Sequence, residues 1–263
     1  MTENWSDFEI ECTEYLEKRF HKYAEFIHQG GSNSRVSDIL VETKTGKNFF
    51  IEVKMPSAQC GQFVLLPNLE DKEFIYSERN ENPINEYSKK IIEYMNKNFD
   101  TYVASGTRGT EINFENSEKI FESWIKKAYS DKRVKYFITQ DKLLINIEDF
   151  GENFNISAVY RVKRSGSSRV SMSKESKILN YLSNSQNIFE KIYSEDGKLF
   201  VKTEKDIDKV KFMYEDSEYM FSKRQDTYEV RKLSKTHNAN VIFSIQLKEE
   251  ASGNIEEFIK DLM

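Results

Sequence analysis

Apolar residues recur at helical spacing from Asp7 to about Tyr23, at Phe8, Cys12, Tyr15, Leu16, Phe20 and Tyr23, and predict an amphipathic helix. The stretch "HQGGSNS" predicts a loop. Two β-branched and aromatic runs follow, Ser34–Glu42 and Asn48–Met55, joined across "TKTGKN" and closed by Pro56. They read as a pair of strands. Pro67 to Pro83 predicts irregular chain or a short hairpin at "KEFIYS". Helices are predicted over Asn85–Phe99 and Ser117–Tyr129, a strand pair at "VKYFIT" and "KLLINI", and a strand at "FNISAVYRVK" ahead of the loop "RSGSSRVSMS". A helical stretch from about Lys174 to Tyr193, broken near "SNSQN", gives way after Gly197 to a run of strands, and Asn254–Leu262 predicts a last helix. The order predicts an α/β fold, a mixed sheet flanked by helices with a β-rich C-terminal subdomain. A soft boundary near 165–200, drawn between residues 1–165 and 166–263, has no Pro/Gly-rich linker to mark it, and one continuous domain is the alternative.

Polar residues interrupt this pattern where burial is expected. Asp38 lies between Ser37 and Ile39 in the first of the paired strands, and Glu52 and Lys54 share one face of the second with Phe50. Ile51 and Val53 point to the other face. Paired as a hairpin, the strands bring Asp38 and Glu52 close in space, where two carboxylates repel and one must take up a proton. A divalent cation removes that conflict, and Mg²⁺ favours one or two carboxylates with waters and phosphate oxygens. A lysine two residues on would stand beside the same phosphate, the equipment for metal-assisted attack of water on a phosphodiester. The competing explanation is a surface hairpin with a charged solvent face; the apolar "DILV" and "FFIEVKM" weigh against it.

Composition narrows the field. The 263 residues are 38% hydrophobic and 32% charged, enough for one large domain or two modest ones. No run of about 18 apolar residues exists to span a membrane, so no membrane association is expected. The acidic start "MTENWSDFEIE" lacks a signal-peptide core. Cys12 and Cys60 have no metal-like spacing and suit a reducing cytoplasm. His21, His28 and His237 are scattered, against a histidine zinc site. The net charge of −5 argues against a nucleic-acid binder, but its distribution does not. Arg161–Lys177 and Lys223–Lys235 are locally basic, so an acidic chain can still present a basic groove.

Ser37–Asp38, thirteen intervening residues and then Glu52–Val53–Lys54 resemble the motif of the PD-(D/E)XK nuclease superfamily, which includes many type II restriction endonucleases. Ser37 stands where the motif usually has Pro. The preceding "DFEIECTEYL" is similar to the helix that supplies a further acid in many members; Glu9 is carried over, with Glu11 its rival. Gln59 and Gln62 are candidates for a supporting Gln. The resemblance covers about residues 5–65. It implies a restriction-endonuclease-like core in which Asp38, Glu52 and the Val53 carbonyl bind Mg²⁺, with Mn²⁺ able to substitute. It implies that Lys54 orients or activates water and stabilises the phosphate, that Glu9 holds a second metal or a metal-bound water, and that cleavage leaves a 5′-phosphate and a 3′-hydroxyl.

DNA contacts are expected from two basic loops. The first offers Arg161, Lys163, Arg164, Ser165, Ser167 and Arg169; the second offers Arg231, Lys232, Lys235, His237, Asn238 and Asn240. Solvated loops and simple turns are the competing explanations. The stripe Ile120, Phe121, Trp124 and Ile125 is expected to be core, and the acidic run Glu70–Glu86 a solvated loop. The expectation is a Mg²⁺-dependent endonuclease cutting double-stranded DNA at a specific sequence, as a homodimer, paired with a cognate DNA methyltransferase. The alternatives are a nuclease of the same superfamily acting on junctions, modified DNA or single strands, and a non-catalytic DNA-binding protein.

Overall fold

The structure, a computed structural model, describes residues 5–29, 37–185 and 189–263. These fall into two units, one running to Arg161 and including Ala239–Met263, the other Val162–Asn238. The first unit opens with α1 (Trp5–Phe20), β1 (Ala24–His28), β2 (Ile39–Thr43), β3 (Asn48–Val53), β4 (Ser57–Asn68) and β5 (Glu73–Tyr76). It continues through α2 (Glu86–Lys97), α3 (Phe99–Val103), β6 (Thr110–Glu111), α4 (Ser117–Asp131), β7 (Val134–Ile138) and β8 (Leu144–Asn146). A 3-10 turn at Ile147–Asp149 leads to α5 (Phe150–Asn153) and β9 (Phe154–Arg164). The second unit holds β10 (Ser167–Arg169), α6 (Met172–Ser185), β11 (Lys191–Glu195), β12 (Lys198–Lys202), β13 (Lys211–Tyr214), β14 (Ser217–Arg224) and β15 (Thr227–Leu233). The chain then returns to the first unit with β16 (His237–Leu247) and α7 (Ile255–Leu262).

The α/β class is as expected, a mixed sheet with helices against it. Its order is β1-β2-β3-β7-β8. β3 is central, antiparallel to β2 and parallel to β7, with Ile39 opposite Ile51 and Val53 opposite Ile138. Alternation sends Ile51 and Val53 into a core with Phe8, Cys12, Leu16, Phe20, Ile39 and Val41. The helical spacing read in α1 is what buries Phe8, Cys12, Leu16 and Phe20. A second sheet runs β5-β4-β16-β9-β6, and α4 packs on β7 of one sheet and β4 of the other. Asn85 caps α2 as half of a capping box with Ser88.

The structure departs from the sequence pattern in definable ways. β16 and α7 do not belong with the second unit, where a division at 165 puts them. β16 pairs with β4, and Phe258 of α7 packs its ring 5.1 Å from Phe20 and 5.0 Å from Tyr136. Burying a phenylalanine contributes about 2–3 kcal/mol, and Asp261 adds polar anchors, accepting from the Tyr136 hydroxyl and Lys135 Nζ, each at 2.5 Å. Lys191–Tyr193, predicted helical, begin β11 instead, because Asp196 and Gly197 both take positive φ (50° and 68°) and close a hairpin with β12. Of the two readings of Pro67 to Pro83, the short hairpin at "KEFIYS" is the one found: β4 runs on through Pro67, which pairs with Phe74 of β5. The loop predicted at "HQGGSNS" begins one residue late, since His28 ends β1, and its Gly30–Ser34 lie outside the described residues. The same is true of residues 34–36 of the predicted first strand and Gln186–Asn187 of the predicted helix break. Among the described residues no helix is long and apolar enough to cross a membrane.

The second unit is built on a sheet of order β11-β12-β15-β14-β13, with β10 paired to the far end of β15. Its core gathers Ile178 and Leu182 of α6 with Leu199, Val201, Tyr219, Phe221 and Val230.

Candidate active site

Asp38 sits on a bend immediately before β2 rather than within the strand, and Lys54 lies one residue past β3. The ladder of β2 and β3 places Leu40 opposite Phe50 and Ile39 opposite Ile51. Its continuation brings Asp38 opposite Glu52. Asp38 Oδ2 accepts the Val53 N–H at 2.8 Å, and Lys54 Nζ donates to Glu52 Oε1 at 2.6 Å. The Lys54 backbone is held by its N–H on the Ile138 carbonyl, 2.9 Å away. The charged ends of Lys54 and Glu52 are little exposed, at 13% and 11% of their side-chain surfaces. Below the lysine lies the Tyr129 ring, 5.7 Å from Nζ to its centre.

Burial and the facing Glu52 charge push the Asp38 carboxyl up to about 7, against the pull of Lys54 and the Val53 N–H. Burial works against the Lys54 charge, yet Glu52 and Asp38 outweigh it and hold the ammonium above its ordinary range. Burial also pushes the neighbouring Cys60 thiol up to about 12, so it is no thiolate nucleophile.

Asp38, Glu52 and Tyr129 line a cleft of about 450 Å³, and Lys54 is joined to it by its bond to Glu52. Asp38, Glu52 and Glu9 lie on its wall, with Gln59 and Gln62 of β4. Glu9 is buried, and its Oε2 is 3.1 Å from His28 Nε2. Its rival Glu11 is out of the cleft, on Lys142 Nζ at 2.8 Å. Gln62 Oε1 accepts from Asn240 Nδ2 at 3.0 Å, so Asn240 serves the cleft through β4. Gly61 takes a positive φ of 94°, and a Cβ there would meet the Trp124 ring at 2.7 Å. Only glycine lets β4 pass this close to α4.

Some of the lining carries no signal in the sequence. Phe121, Trp124 and Ile125 are core, as the stripe implies, but Trp124 and Tyr129 also face the cleft. Arg79, Asn80, Glu81 and Asn82, within the run read as a solvated loop, form part of its wall. Asn80 fixes that wall by accepting the Val64 N–H at 2.6 Å and donating to the Val64 carbonyl at 2.9 Å. The partners of these residues are distant in sequence, and no local pattern announces them.

The basic loops, separate in the sequence, meet in the second unit. β10 pairs with β15, setting Ser168 opposite Lys232 and Arg169 opposite Arg231. Ser165 donates its N–H to the Thr236 carbonyl at 2.9 Å and its hydroxyl to Asn238 Oδ1 at 2.8 Å. Lys163, Arg169, Lys235, His237 and Asn238 are exposed along this edge. Two expected DNA contacts are already engaged internally. Arg164 pairs with Glu218, while Arg231 pairs with Glu229 at 2.7 Å and donates to the Ser167 carbonyl at 2.7 Å. Arg161 and Asn240 fall in the first unit.

The donor set suits a hard dication. Two carboxylates stand opposite each other, and oxygen donors of this kind suit a hard dication better than zinc. Among the described residues no group of three or more His, Cys, Asp and Glu side chains is placed to hold a metal ion, so an ion on this pair would take the rest of its shell from water and substrate oxygens.

No family model and no curated protein matches the chain. Among solved structures, an HhaI endonuclease in complex with DNA is 35% identical, superposes with a TM-score of 0.80, and is matched over 98% of this chain and 99% of its own. With that identity over nearly the whole of both chains, and with Asp38 and Glu52-Val53-Lys54 brought together by β2 and β3, this chain belongs to the type II restriction endonucleases of the PD-(D/E)XK class.

Proposed function

We propose that the protein is a Mg²⁺-dependent endonuclease that hydrolyses double-stranded DNA at a specific sequence, leaving a 5′-phosphate and a 3′-hydroxyl. The observation that carries the proposal is the convergence of Asp38 and Glu52 on one cleft, with Lys54 bonded to Glu52, in a chain similar to an endonuclease bound to DNA. Asp38, Glu52 and the Val53 carbonyl would hold Mg²⁺ or Mn²⁺. The bound ion would polarise the phosphate and make water a better nucleophile at neutral pH. Everything else falls to the chain. The Val53 N–H fixes the Asp38 carboxylate. Lys54 would stabilise charge on a nonbridging phosphate oxygen and orient or activate the attacking water. Glu9 would hold a second metal or a metal-bound water. Gln59 and Gln62 would support the substrate from β4.

The composite edge of the second unit would grip the duplex. Lys163, Arg169, Lys232 and Lys235 are suited to phosphates, with Ser165, Ser167, His237 and Asn238 as polar contacts. Arg164 and Arg231 hold that edge in shape through Glu218 and Glu229. Arg161 and Asn240 would contribute from the first unit. A two-fold dimer would cut both strands with one site per chain, and a cognate methyltransferase would protect the host sites. Cys12 and Cys60 are buried free thiols, in keeping with a cytoplasmic setting.

The test is digestion of plasmid and phage DNA with Mg²⁺ or with EDTA. Discrete fragments in Mg²⁺ alone are expected. A smear would point to a nonspecific nuclease, and retardation without cutting to a binding protein.

A further inference from the structure

His28 has no role in the catalytic motif, yet it touches the helix acid of the cleft. Its Nε2 is 3.1 Å from Glu9 Oε2, with 28% of the His28 side chain exposed and 11% of that of Glu9. Glu9 lines the cleft beside Asp38 and Glu52, whereas His28 does not. The imidazole thus meets Glu9 from outside. It occupies one carboxylate oxygen, and among the described residues no protein group bonds the other. His28 is itself well fixed. It ends β1 opposite Ile39 of β2, and the next N–H, that of Gln29, donates to the Asp38 carbonyl at 2.8 Å. The end of β1 therefore reaches one site acid by a side chain and another by its backbone. In a neutral ring, bonding a carboxylate requires the Nε2–H tautomer, which leaves Nδ1 as the acceptor.

We propose that His28 is a positioning residue for Glu9. It holds one carboxylate oxygen so that the other is presented to the cleft. This rests on the nuclease reading above and deepens it, since a carboxylate on a helix is free to rotate unless a second group fixes it. Sequence offers no trace of the pair: the two residues are 19 apart, and His28 looks like the start of a glycine loop.

Two measurements decide the proposal. The first needs no metal and no turnover. In metal-free protein labelled with ¹⁵N at histidine, Glu9→Gln shifts the His28 ring-nitrogen signals if the bond exists; unchanged signals overturn the proposal. The second is a double-mutant cycle on single-turnover cleavage with Mg²⁺. His28→Ala is expected to slow cleavage about tenfold with DNA affinity unchanged. His28→Gln, whose amide can still donate, is expected to recover most of the rate. Adding His28→Ala to Glu9→Gln is expected to cost little more than Glu9→Gln alone. Multiplying losses, or a full rate in His28→Ala, overturn the positioning role while the nuclease reading stands. A wild type that fails to cut overturns the nuclease reading and the role with it.

Discussion

At the cleft of the first unit, Lys54 touches the lining residue Glu52 at 2.6 Å, with little more than a tenth of either side chain exposed. Along the edge of the second unit, Lys163, Arg169 and Lys235 stand in solvent, and the buried charge is Glu229, which braces Arg224 and Arg231. On the proposed function, the contrast follows from what each region does. Charge that acts on a reacting phosphate must be fixed beforehand where water screens it little. Charge that grips a polyanion gains by releasing counterions and needs only to be accessible. Buried charge in the second unit therefore builds shape, and in the first it builds chemistry.

Substitutions can break this contrast, and the largest effect is expected in the cleft. Lys54→Ala should lower single-turnover cleavage by about a thousandfold while DNA affinity, read by fluorescence anisotropy in Ca²⁺, changes less than about threefold. Comparable losses of both would mean that Lys54 serves binding.

Next comes Glu229→Gln, which leaves two arginines without their carboxylate. Urea denaturation should show a loss of about 3 kcal/mol at neutral pH. Burial opposes the Glu229 charge, but Arg231 and Arg224 overcome it and hold the carboxyl below its ordinary range. Its contribution is thus present above the unfolded carboxyl pKa of about 4.3 and is lost as pH falls through the lowered folded value. The gap between variant and wild type should close in acid.

Asp38 should behave in the opposite sense. Its folded pKa of about 7 lies above the unfolded one, so its contribution is full below about pH 4 and is lost as pH rises through 7. In EDTA at pH 8, Asp38→Asn should be more stable than the wild type by on the order of 2 kcal/mol, with the two converging in acid. Mn²⁺ should raise the melting temperature of the wild type and leave that of Asp38→Asn nearly unchanged.

The smallest effects belong to the exposed edge. Lys163→Ala, Arg169→Ala and Lys235→Ala should each weaken DNA binding by about 1 kcal/mol, lower the log–log salt slope by about 0.9, and leave the rate of bound complex unaltered. Arg164→Ala should act through stability, because its partner is Glu218. A normal salt slope in the lysine variants would remove this edge from the DNA contacts.

The parts legible in the sequence are those encoded locally. Alternation in "FFIEVKM" fixed which face carries Glu52 and Lys54, and the spacing of Phe8, Cys12 and Leu16 put Glu9 beside the core. Contacts between distant segments were not legible. Arg79–Asn82 look like solvent-facing chain until Asn80 clasps β4, and nothing near His28 points to Glu9. Arg164 and Arg231 look like DNA contacts because a sequence gives charge without its partner. The return of β16 and α7 to the first unit was hidden for a related reason: the strand run from Gly197 to Leu247 has one uniform pattern, while its last member pairs with β4.

The central claim is that Asp38 and Glu52 together hold a hard dication. The most direct measurement is anomalous diffraction from crystals grown with Mn²⁺. The account predicts a peak bonded to both carboxylates at about 2.1–2.2 Å, within reach of the Val53 carbonyl. Crystals of a preparation that cuts DNA with Mn²⁺, yet with no peak between these two side chains, would contradict it.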